Sequence, residues 1–201
     1  MATRRPWPWI MAAMIAVIAI AVLGYTLGRS ARGSSAGAAT GQTAAQGGFG
    51  RATTDLSTMS PREQADRLFD RVMIAHEQGD TQQVTFFAPM AIQAYDLIGG
   101  LDADARYHIG LIHSILGQAD DALAQADSLE AAVPGHLMAA MLRNSIAAGA
   151  GDTAAIHRSY RAFLDSYEAE IAARRPEYEA HPTAITNFRA AAERDVAATG
   201  N

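Results

Sequence analysis

The stretch of sequence that decides the fold covers residues 103–136 and reads ADARYHIGLIHSILGQADDALAQADSLEAAVPGH. Its second half repeats apolar residues every three or four positions, which predicts one helical stripe: Ala122, Ala126, Leu129 and Val133. Gly117 separates this helix from an apolar helix before it, and Pro134 closes the unit. The stretch therefore predicts a helical hairpin of 34 residues.

The first helix of this hairpin is apolar on two sides. The two faces carry Ile109, Ile112 and Leu116, and Tyr107, Leu111 and Ile115. A helix with two apolar faces is packed on both of them, and a lone hairpin cannot bury such faces. The hairpin therefore needs neighbours stacked before and after it.

The length and several residues of the hairpin resemble the tetratricopeptide repeat, a helical hairpin of about 34 residues. Gly110 and Ala122 stand where that family places small residues at the helix crossing, Pro134 stands at its stop, and Ile109 replaces its usual leucine. The match is partial, because three positions lack the family's large aromatic residues: Arg106, His113 and Ala126. The resemblance implies a stack of hairpins that holds other proteins and performs no catalysis.

Local signals before the central unit predict one more hairpin. Ser60 and Glu63 form a capping box with Pro61 in the first helical turn. A Gly-Asp pair at residues 79–80 ends this helix and caps the next, and the Gly pair at residues 99–100 ends the hairpin. The apolar stripe of its second helix consists of Val84, Phe87, Ala91, Tyr95 and Ile98.

Similar signals after the central unit predict a third hairpin and a final helix. A helix over about residues 137–148 precedes Gly151, which follows Gly117 by 34 residues. The long helix after it is broken at Pro176, and a last helix begins at His181 and Pro182. No stretch alternates strictly between apolar and polar residues. The expected fold is therefore all-α, a tetratricopeptide-like stack of three hairpins with a capping helix.

The N-terminal segment predicts a membrane anchor. Residues 9–27 are 19 residues without a formal charge, about enough for a helix to cross a 30 Å hydrocarbon core. Trp7, Trp9 and Tyr25 flank the run, as aromatic residues do at membrane interfaces. The alternative is a cleaved signal peptide, but Arg29 and Arg32 follow the apolar run directly, without a nearby small-residue cleavage site.

The resulting organisation is a flank and transmembrane anchor over residues 1–29, a Gly/Ala/Ser-rich tether over residues 30–54 and a helical domain over residues 55–201. Arginines lie on both sides of the apolar run, so charge alone does not decide the orientation. A short flank before a large trailing domain favours a single-pass protein of the inner membrane with its C-terminal domain in the periplasm.

Composition excludes several classes of function. The 201-residue chain has no cysteine, which removes disulfides, zinc-thiolate sites and thiol nucleophiles. All 16 basic residues are arginine, and after residue 51 the chain holds 21 acids against 11 arginines. Such an acidic domain is a poor nucleic-acid binder, because phosphate contact requires clustered positive charge.

No motif predicts catalysis, a cofactor or a metal site. His108 and His113 are five residues apart and do not share one helical face, and no zinc-protease, phosphate-loop or nucleophile-elbow motif is present. Asp102 and Asp104 stand at a helix start, where acids complement the helix dipole.

The sequence therefore favours a non-catalytic, membrane-anchored scaffold, an accessory subunit of a large bacterial membrane complex, respiratory or photosynthetic. The alternatives are an envelope assembly factor of the cytochrome c maturation or translocon type, and a peptide or small-molecule binding module. The partners expected are other complex subunits and, through residues 9–27, the lipid bilayer. The residues expected to face a protein partner from the first helix of each hairpin are Phe69, Met73, His76, Tyr107, Leu111, Ser114, Met141 and Ser145. The alternative for the apolar members of this set is core packing.

Overall fold

A computed structural model describes residues 59–200. These residues form eight helices and no strand. The helices are α1 (Pro61–Glu77), α2 (Thr81–Ile98), α3 (Ala103–Ile115), α4 (Ala119–Ala132), α5 (Leu137–Ala150), α6 (Thr153–Ala172), α7 (Pro176–Ala180) and α8 (Pro182–Thr199). The prediction of an all-α domain is confirmed for this part of the chain. The predicted anchor and tether lie outside the described residues, and none of the described helices is both long and apolar enough to cross a membrane.

Serine and aspartate side chains cap the beginnings of four helices. The Ser60 hydroxyl accepts a hydrogen bond from the backbone N–H of Glu63, whose carboxylate in turn accepts from the backbone N–H of Ser60. Asp80, Asp102 and Asp152 each accept a hydrogen bond from the backbone N–H three residues later. Each cap satisfies a backbone N–H group in the first turn that has no partner within the helix. The position at which these helices begin is therefore set by a short polar side chain next to the first turn.

The three hairpins share one turn geometry. Gly79, Gly117 and Gly151 have φ angles of 69°, 73° and 69°, in the left-handed region that favours glycine. In each turn the glycine N–H bonds to the carbonyl three residues back, and the following N–H bonds to the carbonyl five residues back. This pair of bonds is the Schellman motif, which ends α1, α3 and α5 in the same way. The repeated turn confirms the three helical hairpins that the sequence predicts.

The hairpins α1–α2, α3–α4 and α5–α6 pack one after another. Besides its own partner, α3 contacts α1 and α2 on one side and α5 on the other. Two apolar clusters follow this order, one around Val72 and Tyr95 in the first hairpin, the other around Leu129, Leu142 and Phe163 in the second and third. The helix α3 is therefore packed on both of its apolar faces.

Gly110 lies where α3 crosses the third hairpin. A Cβ atom at this position would lie 2.2 Å from Leu142 Cδ2 of α5 and 3.2 Å from Gln125 Cβ of α4. Because Leu142 is fully buried, the crossing leaves no space for a side chain on α3. The prediction that Gly110 stands at a helix crossing is confirmed.

The C-terminal segment differs from the predicted single capping helix. Pro176 and Pro182 each stand at the first position of a helix, so the chain forms the short helix α7 before α8. Tyr178 of α7 and Ile185 of α8 join the apolar cluster that contains Tyr107 of α3 and Met141 of α5. The segment therefore covers a face built by the first helices of the second and third hairpins, while α8 also packs along α6.

Candidate functional site

Three side chains that can act as acids, bases or metal ligands meet at the start of α3. Asp104 and His108 stand one helical turn apart on α3, and His181 lies in the break between α7 and α8. His181 Nε2 is 2.6 Å from Asp104 Oδ1 and 3.2 Å from His108 Nε2. The two α3 atoms are 3.7 Å apart. We call this group the Asp-His-His cluster.

The short helix α7 brings His181 to this position. The Tyr178 hydroxyl accepts a hydrogen bond from the backbone N–H of Leu137 at 3.0 Å and donates one to Glu170 at 2.7 Å. One residue before, Glu177 bonds to the fully buried His136 at 3.0 Å. These bonds hold α7 against the start of α5, and the next residue after α7 is His181.

Arg62 of α1 holds the carboxylates around the cluster. Its guanidinium bonds to Asp66 at 3.0 Å, to Asp102 at 2.8 Å and to the Oδ2 atom of Asp104. Burial would raise the pKa of Asp104, but His181, His108 and Arg62 outweigh it and lower the pKa. The same balance holds for Asp66, where His108, Tyr95 and Arg62 overcome burial and lower the pKa to about 2. Both carboxylates are therefore ionised at neutral pH.

A chain of hydrogen bonds fixes the tautomer of the neutral His108 ring. Ionised Asp66 accepts from the Tyr95 hydroxyl at 2.7 Å. The Tyr95 oxygen lies 2.7 Å from His108 Nδ1 and, having used its own proton, can only accept there. The proton of neutral His108 is therefore on Nδ1, and its Nε2 lone pair faces His181. Phe69 stacks on the His108 ring at 3.8 Å between centroids and blocks its rotation.

Most of the residues predicted to bind a partner are buried or half-buried inside the helical domain. Phe69, Tyr107 and Met141 are buried, and His76 is exposed. The half-buried members are Met73, Leu111, Ser114 and Ser145, the last two joined by a hydrogen bond of 3.0 Å. The sequence predicts that Tyr107 and Met141 lie on the same face of successive hairpins, and they do meet in one apolar cluster. The C-terminal segment covers this cluster. Core packing describes the buried members, and the role of the set in binding stays a prediction.

A cavity elsewhere bears on the small-molecule alternative. It has a volume of about 640 Å³ and lies between α4, α5 and α6, with Arg143, Arg158 and Asp165 among its lining residues. A pocket lined by the first helices of all three hairpins would favour a ligand-binding module of the repeat type. This cavity has a different location.

Sequence reasoning missed the Asp-His-His cluster for an identifiable reason. It compared His108 with His113, whereas the partners of His108 are Asp104, four residues before it, and His181, 73 residues after it. The four-residue spacing of an acid and a histidine on one helical face was a usable signal. The contact with His181 depends on how α7 packs, which no local pattern records.

No protein-family model matches the sequence, and no curated protein or solved structure matches it either. The tetratricopeptide resemblance therefore stays a prediction that rests on the residues of the central hairpin.

Proposed function

We propose that the protein is a non-catalytic, membrane-anchored scaffold of tetratricopeptide type, an accessory subunit of a large bacterial membrane complex, respiratory or photosynthetic. In this proposal residues 9–27 hold it in the inner membrane, and the helical domain lies in the periplasm. The observation that carries the proposal is an exposed apolar stripe on α2. Stacked hairpins that each bury one face and present another are a common way to hold a protein partner.

The helix α2 is apolar on opposite faces. Its inner face, with Val84, Ala88, Ala91 and Tyr95, is buried in the first hairpin. On the opposite face, Phe86, Met90 and Leu97 are 63%, 43% and 79% exposed. Single exposed apolar residues are ordinary, but three large ones recur along one face of α2, with Gln93 between Met90 and Leu97. We take this recurrence as the mark of an interaction site. We call these three residues the α2 stripe.

The charge of α2 favours a protein partner over a lipid surface. Its sequence, TQQVTFFAPMAIQAYDLI, contains Asp96 and no basic residue. Helices that lie on anionic membranes carry Lys or Arg along their polar faces. The α2 stripe lacks such residues, so its complement is an apolar helix or groove on another subunit.

The test changes the stripe without changing the fold. The full chain carrying Phe86→Gln, Met90→Gln and Leu97→Gln is expressed in its native host and purified from membranes in mild detergent. Because these side chains are exposed, each substitution changes stability by roughly 0.5 kcal/mol or less. We expect the variant to remain in the membrane and to lose the subunits that purify with the unchanged chain.

The matched control is Leu123→Gln with Ile171→Gln, two apolar residues that are 37% exposed on other helices. This control is expected to keep the same subunits. Retention of those subunits by the stripe variant would overturn the assignment of the stripe. Loss of membrane attachment by the stripe variant alone would show that α2 binds the bilayer instead.

A further inference from the structure

The Asp-His-His cluster has the donor atoms of a metal site that spans two distant parts of the chain. We propose that Asp104 Oδ1, His108 Nε2 and His181 Nε2 bind one divalent transition-metal ion of the Zn²⁺ class. The ion joins the C-terminal segment to the start of α3. This proposal goes against the sequence-based expectation of no metal site, and it does not depend on the proposed scaffold function.

The spacing of the three atoms suits a small four-coordinate ion. Ligand atoms at about 2.0–2.2 Å from a tetrahedral metal lie about 3.3–3.6 Å from one another. The three observed separations are 2.6, 3.2 and 3.7 Å, so they lie on both sides of this range. A side-chain adjustment of His181, which lies in the break before α8, opens the shortest of these separations.

His108 is prepared to donate an electron pair. Its Nδ1–H donates to Tyr95, which donates to Asp66, so the Nε2 lone pair faces the centre of the cluster. Metal-bound histidines characteristically donate their other ring N–H to an oxygen that fixes the tautomer and the ring orientation. Without an ion, this lone pair of His108 accepts a hydrogen bond from the Nε2–H of His181. Asp104 Oδ1 lies closer to His181 Nε2 and competes for the same proton.

The charge around the cluster matches a dication. Arg62 contacts Oδ2 of Asp104, which leaves Oδ1 directed toward the two imidazoles. The cluster and its surroundings contain three carboxylates, of Asp66, Asp102 and Asp104, against one guanidinium. The three carboxylates and one guanidinium together carry two net negative charges, which a divalent ion neutralises.

The types of ligand select the class of metal. Two imidazole nitrogens favour Zn²⁺, Fe²⁺, Co²⁺, Ni²⁺ or Cu²⁺ over Mg²⁺ and Ca²⁺, which prefer oxygen ligands. The side chains of Asp104 and His181 are 17% and 21% exposed, so an ion can enter and a water can complete its coordination. Because His108 and His181 are 73 residues apart in sequence, the ion acts as a clamp that holds the C-terminal segment over the α3–α5 face.

The test uses the full chain, purified in mild detergent without a polyhistidine tag and treated with chelator. Titration with Zn²⁺ and with Co²⁺ is followed by calorimetry and, for Co²⁺, by its visible absorption. We expect one ion per chain, Co²⁺ bands of low-coordinate type and a rise in melting temperature on binding. His181→Gln and Asp104→Asn each remove one ligand and are expected to weaken binding at least tenfold.

Two further variants separate a built site from adventitious binding. His76→Gln removes an exposed histidine outside the cluster and is expected to leave both affinity and stoichiometry unchanged. Tyr95→Phe removes no ligand but releases the His108 tautomer, and it is expected to weaken binding by about 10- to 100-fold. The proposal is overturned if the unchanged chain binds no Zn²⁺ in large excess of metal. It is also overturned if His181→Gln and Asp104→Asn bind as tightly as His76→Gln.

Discussion

The sharpest test of the packing is the substitution Gly110→Ala. A methyl group on Gly110 would lie 2.2 Å from Leu142 Cδ2, whereas carbon atoms in contact need about 3.5 Å. Leu142 would therefore have to retreat by about 1.3 Å within a fully buried cluster. Overpacking of this kind costs about 1–3 kcal/mol, and replacing glycine within a helix returns up to about 1 kcal/mol. We expect a net loss of about 1 kcal/mol, and a larger loss for Gly110→Leu.

The assay is thermal unfolding followed by far-UV circular dichroism. For a domain of this size, 1 kcal/mol corresponds to a fall in melting temperature of about 3–5 °C. Gly149→Ala is the matched control, because a Cβ atom at Gly149 of α5 meets no atom within 4 Å, so we expect it to be neutral or stabilising.

A double-mutant cycle assigns the loss to Leu142. In the Leu142→Ala background the 2.2 Å contact is removed and the 3.2 Å contact with Gln125 Cβ remains, so Gly110→Ala should destabilise the protein much less than it does in the unchanged chain. If Gly110→Ala stabilises the unchanged chain as much as Gly149→Ala does, Gly110 does not lie at a tight helix crossing.

Four further predictions follow from single features. Ser60→Ala removes the α1 cap and should cost about 1 kcal/mol, measured as a lower melting temperature. Folding lowers the pKa of Asp66 to about 2, so ionised Asp66 stabilises the folded protein above about pH 4, and this stabilisation is lost as the pH falls toward 2. Because the side chain is 40% exposed, we expect a contribution of about 1 kcal/mol to the free energy of unfolding. The stability of Asp66→Asn should therefore depend less on acid pH than that of the unchanged chain. Because His76 is exposed, His76→Ala should leave the melting temperature unchanged. Tyr107→Ala leaves a cavity at a buried position and should lower the free energy of unfolding by about 3 kcal/mol or more. Equal effects of the two substitutions would contradict the placement of these residues. A chain beginning at Thr54 should be soluble and keep the helical content of the domain, which sedimentation and circular dichroism would check.

The helix α2 illustrates how far periodicity reaches. Helical spacing predicts one apolar face with Val84, Phe87, Ala91, Tyr95 and Ile98. Val84, Ala91 and Tyr95 are buried, and Phe87 and Ile98 are partly buried. The same helix carries Phe86 and Leu97 on the other side, and the pattern alone does not say which apolar face meets the rest of the domain. Packing of α1 and α3 decides this, because it covers the face with Ala88, Ala91 and Tyr95 and leaves Phe86 and Leu97 exposed.

The sequence by itself determined the features that depend on neighbouring residues. The capping box at Ser60, the Schellman turn at Gly117 and the helix start at Pro182 involve hydrogen bonds and backbone preferences within a few residues, so their signals are local. The tertiary structure decided what these helices bring together. Tyr107 is covered, and His181 meets His108, because the short helix α7 turns the chain back onto α3 and α5. Contacts over 73 residues depend on the packing of whole helices, and a single sequence has no local pattern that encodes them.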